Sequence, residues 1–163
     1  QQAADTDTHQ VPFIVELAHY EYVELAVAIS NADETHQAQR AYDPNGDLLA
    51  ACPVVAPTAW NLTYQYPVHQ ISPDYLPQEP PAQPTHLVVY RDRLDEVHFL
   101  EINAVTQRLL TLLLEDGEIT GIQALQKIAT ELQQPAETII EAGQPLLADL
   151  RQRNVIWGSR TCT

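Results

Sequence analysis

Glu16 stands three residues ahead of His19 in "ELAHYEYVEL", residues 16–25. On a helix these side chains share a face, which is the half-site of carboxylate-bridged di-iron bundles. A complete site needs a second Glu-x-x-His and two more carboxylates on facing helices. The nearest matches are Asp33-x-x-His36, in a polar stretch, and Asp95-x-x-His98, at an expected hairpin. Neither falls on a long helix, so the pattern favours the polar margin of an amphipathic helix over a metal centre. The six histidines, at 9, 19, 36, 69, 86 and 98, contain no His-x-x-x-His pair. Zinc ligands usually come as close pairs, so no metal or cofactor is expected.

Nucleophiles fare no better. Cys52 sits in "AACPVV" between apolar neighbours, a setting in which a thiol is inert. No Gly-x-Ser-x-Gly elbow is present, and five glycines in all supply neither a phosphate loop nor a dinucleotide fingerprint. The chain is therefore read as non-catalytic. Cys52 and Cys162 make no disulfide framework, so both are expected to be unpaired and the compartment reducing, hence cytoplasmic. Asn61-Leu62-Thr63 fits a glycosylation sequon by chance.

The elements that would carry these residues follow from periodicity. Pro12 opens a helix through Ser30, with Phe13, Ile14, Leu17, Tyr20, Val23, Val27 and Ile29 in steps of mostly three and four. Asp43-Pro44-Asn45-Gly46 is a turn. Residues 48–84 hold eight of the twelve prolines, which excludes a long helix and suits short strands, "TYQYPVHQI" foremost. "PQEPPAQP" at 77–84 reads as a connector. "THLVVYRD" and "EVHFLEIN" flank "RLD" as a hairpin. Three helices are expected next: one ending at Gly117, one opened by the capping box of Thr120 and Gln123, and one opened by Pro135, kinked or split at Gly143 and Pro145. "VIWG" closes as a strand. The fold class is α+β: a tail over 1–11, an N-terminal helix with a Pro-rich β segment over 12–83, and a winged-helix unit over 84–160. The polar start, without Met, reads as that of a fragment or processed product.

With 163 residues, 45% of them hydrophobic and 18% charged, the chain is globular, and no apolar run nears the ~20 residues of a membrane span. Eight Lys and Arg against 22 Asp and Glu leave a formal charge of -14, which repels nucleic-acid phosphates. A winged helix would read DNA with its third helix. There Glu137 and Glu141 stand at the reading end, and Asp149 offsets Arg151 and Arg153. Duplex binding by a transcriptional regulator is thus the second reading, and recognition of a polypeptide the first. A small sheet beside a helix can take an added peptide strand, with "HLVVYRD" as edge and Ile139, Ile140 and Leu147 as pocket residues.

"VPFIVELAHYEYVELAVAIS", "YPVHQISPDY", "PTHLVVYRDRLDEVHFLEINAVTQRLLTLL" and "LLADLRQRNVIWG" together resemble the C-terminal portion of the HvfC-like maturation proteins. That resemblance implies a bacterial accessory protein. Its partner would be a multinuclear non-heme iron oxidative enzyme that modifies a ribosomally made precursor peptide, with the iron held by the enzyme. The family's N-terminal helical domain, commonly labelled DNA-binding, has no expected counterpart here. The part from about Pro84 is also similar to PqqD-like domains, which hold a leader peptide as an extra strand. Carried over, the edge falls on Leu87, Val88, Val89 and Tyr90, or on Val97, His98, Phe99 and Leu100, facing Ile139, Ile140, Gly143 and Leu147. The first helix then becomes a docking element, with Glu16, His19, Glu21 and Glu24 toward a basic patch of the enzyme.

Overall fold

The computed structural model describes residues 11–32 and 41–163. The expected tail over 1–11 and the Asp33–His36 pair thus fall almost wholly outside the described residues. The element order is α1 (Ile14–Ala28), β1 (Cys52–Val55), β2 (Ala59–Tyr64), a 3-10 turn (Val68–Gln70), β3 (Thr85–Arg91), β4 (Val97–Ile102), α2 (Ala104–Glu115), α3 (Gly121–Leu132), α4 (Ala136–Gln152) and β5 (Ile156–Arg160). Among the described residues, this mixture of four helices and two antiparallel sheets is the expected α+β class.

The larger sheet runs β2-β3-β4, with β3 in the centre. Its strands have one face against α1 and the other against α2–α4. Leu87 joins Phe13, Tyr64, Tyr66 and Val68 on the α1 side, and Val89 joins Val23 and Val27. Val88 and Tyr90 turn the other way, into a core with Leu109, Leu110, Leu125, Ile128, Leu147 and Leu150. Covered on both faces, β3 is an unbroken apolar run instead of an alternating one.

The β3–β4 hairpin closes with a three-residue loop, 93–95. Asp95 N–H donates to the Asp92 carbonyl, Asp92 N–H to the Glu96 carbonyl, and Asp95 takes φ 64°. This is a type I turn followed by a left-handed residue, and aspartate tolerates that conformation better than most. Asp92 secures the loop by accepting from the N–H groups of Leu94 and Glu96. The capping box of Thr120 and Gln123 opens α3 as expected. α4 is one continuous helix, not a split one. Pro145 lies on its exposed side, where the proline costs a single backbone hydrogen bond at the water-facing surface. Gly143 is buried, and a methyl there would overlap the Leu125 side chain, so the glycine lets α3 and α4 approach closely.

The strand expected at "TYQYPVHQI" differs. Only its first two residues are in β2, and Val68–Gln70 forms the 3-10 turn. β5 pairs with β1 and with no strand of the hairpin, while Asp43 and Ser159 exchange backbone hydrogen bonds on β5's other side. Both sheets therefore cross the boundary expected at residue 84: β2 pairs with β3, and β1 with β5.

The cysteines need a correction. Cys52 and Cys162 are joined in a disulfide across 110 residues, with Cα atoms 5.5 Å apart. No spacing rule signals two thiols so distant, and the fold brings them together by pairing β1 with β5. The premise for a reducing compartment goes with them, because disulfides persist where the surroundings oxidise. Among the described residues, no helix is long and apolar enough to cross a membrane.

Candidate functional site

Glu16 and His19 do share a face of α1, and it borders the sheet, with Glu16 half-buried and His19 exposed. The Glu16 carboxylate accepts from the N–H groups of Gln65 and Tyr66, each at 2.9 Å, so it caps the exit of β2. His19 Nδ1 shares a 2.9 Å hydrogen bond with the Tyr64 hydroxyl. Burial, then the neighbouring Glu16 and Tyr20, push the Tyr64 phenol up to about 12, so it stays protonated. At the other end, Arg91 donates to the carbonyls of Val27 (3.2 Å), Ala28 (2.8 Å) and Ser30 (2.6 Å). A buried guanidinium thus satisfies carbonyls that the end of α1 leaves open. Of the four expected docking residues, Glu16 and His19 bond α1 to the sheet, and His19, Glu21 and Glu24 are exposed.

Leu87, Val88, Val89 and Tyr90, expected as a peptide-binding edge, need a second correction. They lie in the central strand, paired to β2 on one side and β4 on the other, and all four are buried. No main-chain group of theirs is open to an incoming strand. Sequence reasoning had a signal for this, since "LVVY" is continuously apolar, the mark of a strand covered on both faces. Gly143 and Leu147 are also buried, in the α3–α4 contact and the core. Ile139 and Ile140 are half-buried against that same core.

The alternative edge carries no second strand among the described residues. There β4 lies at the margin of its sheet and pairs only with β3. Asp92 and Glu96 form a hydrogen-bonded pair, so Tyr90/His98 and Val88/Leu100 do too. The N–H and C=O groups of Val97, Phe99 and Glu101 then point away from β3. The strand is half-buried except at Glu101, and Leu100 and Ile102 rest on the core that Ile139, Ile140 and Leu146 also contact.

One group among the described residues has metal-ligand character. Asp92, Glu96 and His98 bring ligand atoms within 4.8 Å of one another. His98 Nε2 and Asp92 Oδ2 are 2.7 Å apart, and the other Asp92 oxygen is taken by the hairpin amides. Burial pushes the Asp92 carboxyl up, but the His98 and backbone hydrogen bonds outweigh it, so the net shift is downward. These contacts close the hairpin. Asp95 lies 3.6 Å from Arg91 Nε, so it is not paired with His98. On α4, Arg151 donates to the Gly46 carbonyl at 2.8 Å, and Arg153 pairs with Asp149 at 2.9 Å. Both arginines that a duplex would need already have partners within the fold.

The HvfC C-terminal domain model matches residues 56–151, more than half of the chain. The chain belongs to the HvfC C-terminal domain family. No curated protein matches it. The HvfC match runs from just before β2 to the last turn of α4, so it contains the three-stranded sheet, the free β4 edge and α2–α4. α1, β1 and β5 fall outside it.

Proposed function

We propose that this HvfC-family chain is a non-catalytic accessory protein that binds a peptide-modifying iron oxidative enzyme and its precursor peptide. The observation that carries the reading is the free edge of β4. An extended peptide can pair with the outward groups of Val97, Phe99 and Glu101, because an added strand gains main-chain hydrogen bonds without remodelling the sheet. Apolar side chains of that peptide would rest on Leu100, Ile102, Ile139 and Ile140, whose half-burial leaves surface to cover. The four described histidines, His19, His69, His86 and His98, each hydrogen-bond a neighbour in the fold, which supports a binding role. The charge of -14 and the engaged arginines of α4 weigh against duplex DNA.

The test is binding of the precursor peptide by Glu101→Pro and Glu101→Ala. Proline at an outward-facing edge position deletes one N–H that bonds nothing in the sheet, so the fold should tolerate it. Alanine keeps that N–H and removes only the exposed carboxylate and its 3.1 Å contact with His69. Titration calorimetry should show peptide affinity falling about tenfold in the proline variant and little changed in the alanine variant. Equal affinities would remove the edge from the mechanism. Co-purification of the iron enzyme, with and without the precursor peptide, tests the accessory role itself.

A further inference from the structure

α1 is apolar on two opposite sides. Its inner side carries Phe13, Tyr20, Val23 and Val27 into the sheet. Its outer side carries Val15, Ala18, Tyr22 and Leu25, continued by Val11 just before the helix and Ile29 just after it, the six spaced by alternating steps of four and three. That spacing is the a/d seam of helix-on-helix packing, in which each side chain enters a hole on a facing helix. All six are exposed, Val15 at 76%, Ile29 at 69%, and Tyr22 and Leu25 at 60% each. Apolar surface on this scale, gathered in one seam, marks a contact that another polypeptide covers.

What covers it can be narrowed by elimination. A second copy would bring together two chains of charge -14, and α1 has no Lys or Arg to answer the glutamates of its twin. Glu21 flanks the seam, with Glu24 beyond it on the same side, both exposed. The complementary surface is apolar in the middle and basic along one margin.

We propose that the outer face of α1 is a docking surface for an amphipathic helix of another polypeptide, one with apolar residues in three-and-four spacing and lysine or arginine along a flank. The surface is separate from the β4 edge, and loss of either leaves the other intact. Charge selects this partner, and packing along the seam holds it.

The test uses the full chain and two synthetic peptides of about four heptads, both with leucine at a and d. One has lysine at e and g, the other glutamate. Fluorescence anisotropy should show saturable binding of the lysine peptide and at least about tenfold weaker binding of the glutamate peptide. Tyr22→Ser/Leu25→Ser changes only exposed positions, so circular dichroism should be unchanged, while the lysine peptide should bind about tenfold more weakly. Glu21→Lys/Glu24→Lys should reverse the preference between peptides, a result that misfolding cannot produce. Failure of the lysine peptide to bind would overturn the proposal, as would equal affinity for both peptides or indifference to the serine pair. A dimer in sedimentation that the serine pair dissociates would also overturn it, by making a second copy the occupant.

Discussion

Arg91 shows how one side chain can decide whether an element stays docked. It is buried, and three main-chain carbonyls at the end of α1 take their hydrogen bonds from its guanidinium. Arg91→Met keeps most of the aliphatic bulk and leaves those acceptors unserved, which costs about 3 kcal/mol. The effect should be local. Hydrogen exchange should quicken for amides near Val27 before it does for the α2–α4 core. Glu118 makes a different prediction, about acid. Arg160 chiefly, then the Thr163 N–H and hydroxyl, pull its carboxyl down to about 2 from an ordinary value of 4.5, against a smaller upward push from burial. A folded-state value below the unfolded one contributes stability that is complete above pH 4.5 and lost as pH falls through about 2. Urea midpoints of the native chain and Glu118→Gln should therefore differ by a constant amount at neutral pH and converge near pH 2. A gap that persists in acid would show that the carboxylate charge is not what matters.

The elements differ in how openly the sequence declares them. α3 announces itself through Thr120 and Gln123, and the hairpin through the "RLD" between two apolar runs, because both rest on contacts within a few residues. The rank of strands within the sheet is another matter. β3 as centre and β4 as edge depend on β2, a partner more than twenty residues upstream across a proline-rich stretch, and no local pattern states that pairing. The candidate site was legible to the same degree. Glu21 and Glu24 are exposed and Ile139 and Ile140 half-buried, whereas Glu16 and His19 bond to the sheet and Gly143 and Leu147 are buried, contacts that only the tertiary structure reveals. The outer seam of α1 was readable in spacing but merged with the inner one, since a helix apolar on two sides blurs both. Gly143 offers a test at this scale. Gly143→Ala gains about 1 kcal/mol of helix propensity, yet its methyl must displace Leu125, at an overpacking cost of about 1–3 kcal/mol. The net effect should be destabilising. In a double-mutant cycle with Leu125→Ala, the glycine substitution should turn neutral or stabilising, because the space it needs is then vacant.

At the scale of the whole molecule, the Cys52–Cys162 bridge joins two strands that already pair, β1 and the chain just beyond β5. Closing a loop of 110 residues restricts the unfolded chain and stabilises the native one by about 2–4 kcal/mol. Cys52→Ser/Cys162→Ser should lower the melting temperature by about 5–15 °C at this chain length and still leave a cooperative transition. The cores around β3 do not depend on the bridge. A loss of all cooperativity would mean the bridge holds more than β1 and β5 together.

The pairing of β1 with β5 also sets a sequence of events at the ribosome. β1 emerges early, but its partner strand is not made until β2–β4 and three helices have followed it out. Those intervening elements can fold as they appear, their contacts being mostly nearer in the chain, while β1 waits unpaired and Cys52 remains an available thiol. An oxidant that acts too soon would meet Cys52 alone and bind it to some other molecule's sulfur. Correct maturation of this protein thus asks for oxidation that lags behind synthesis.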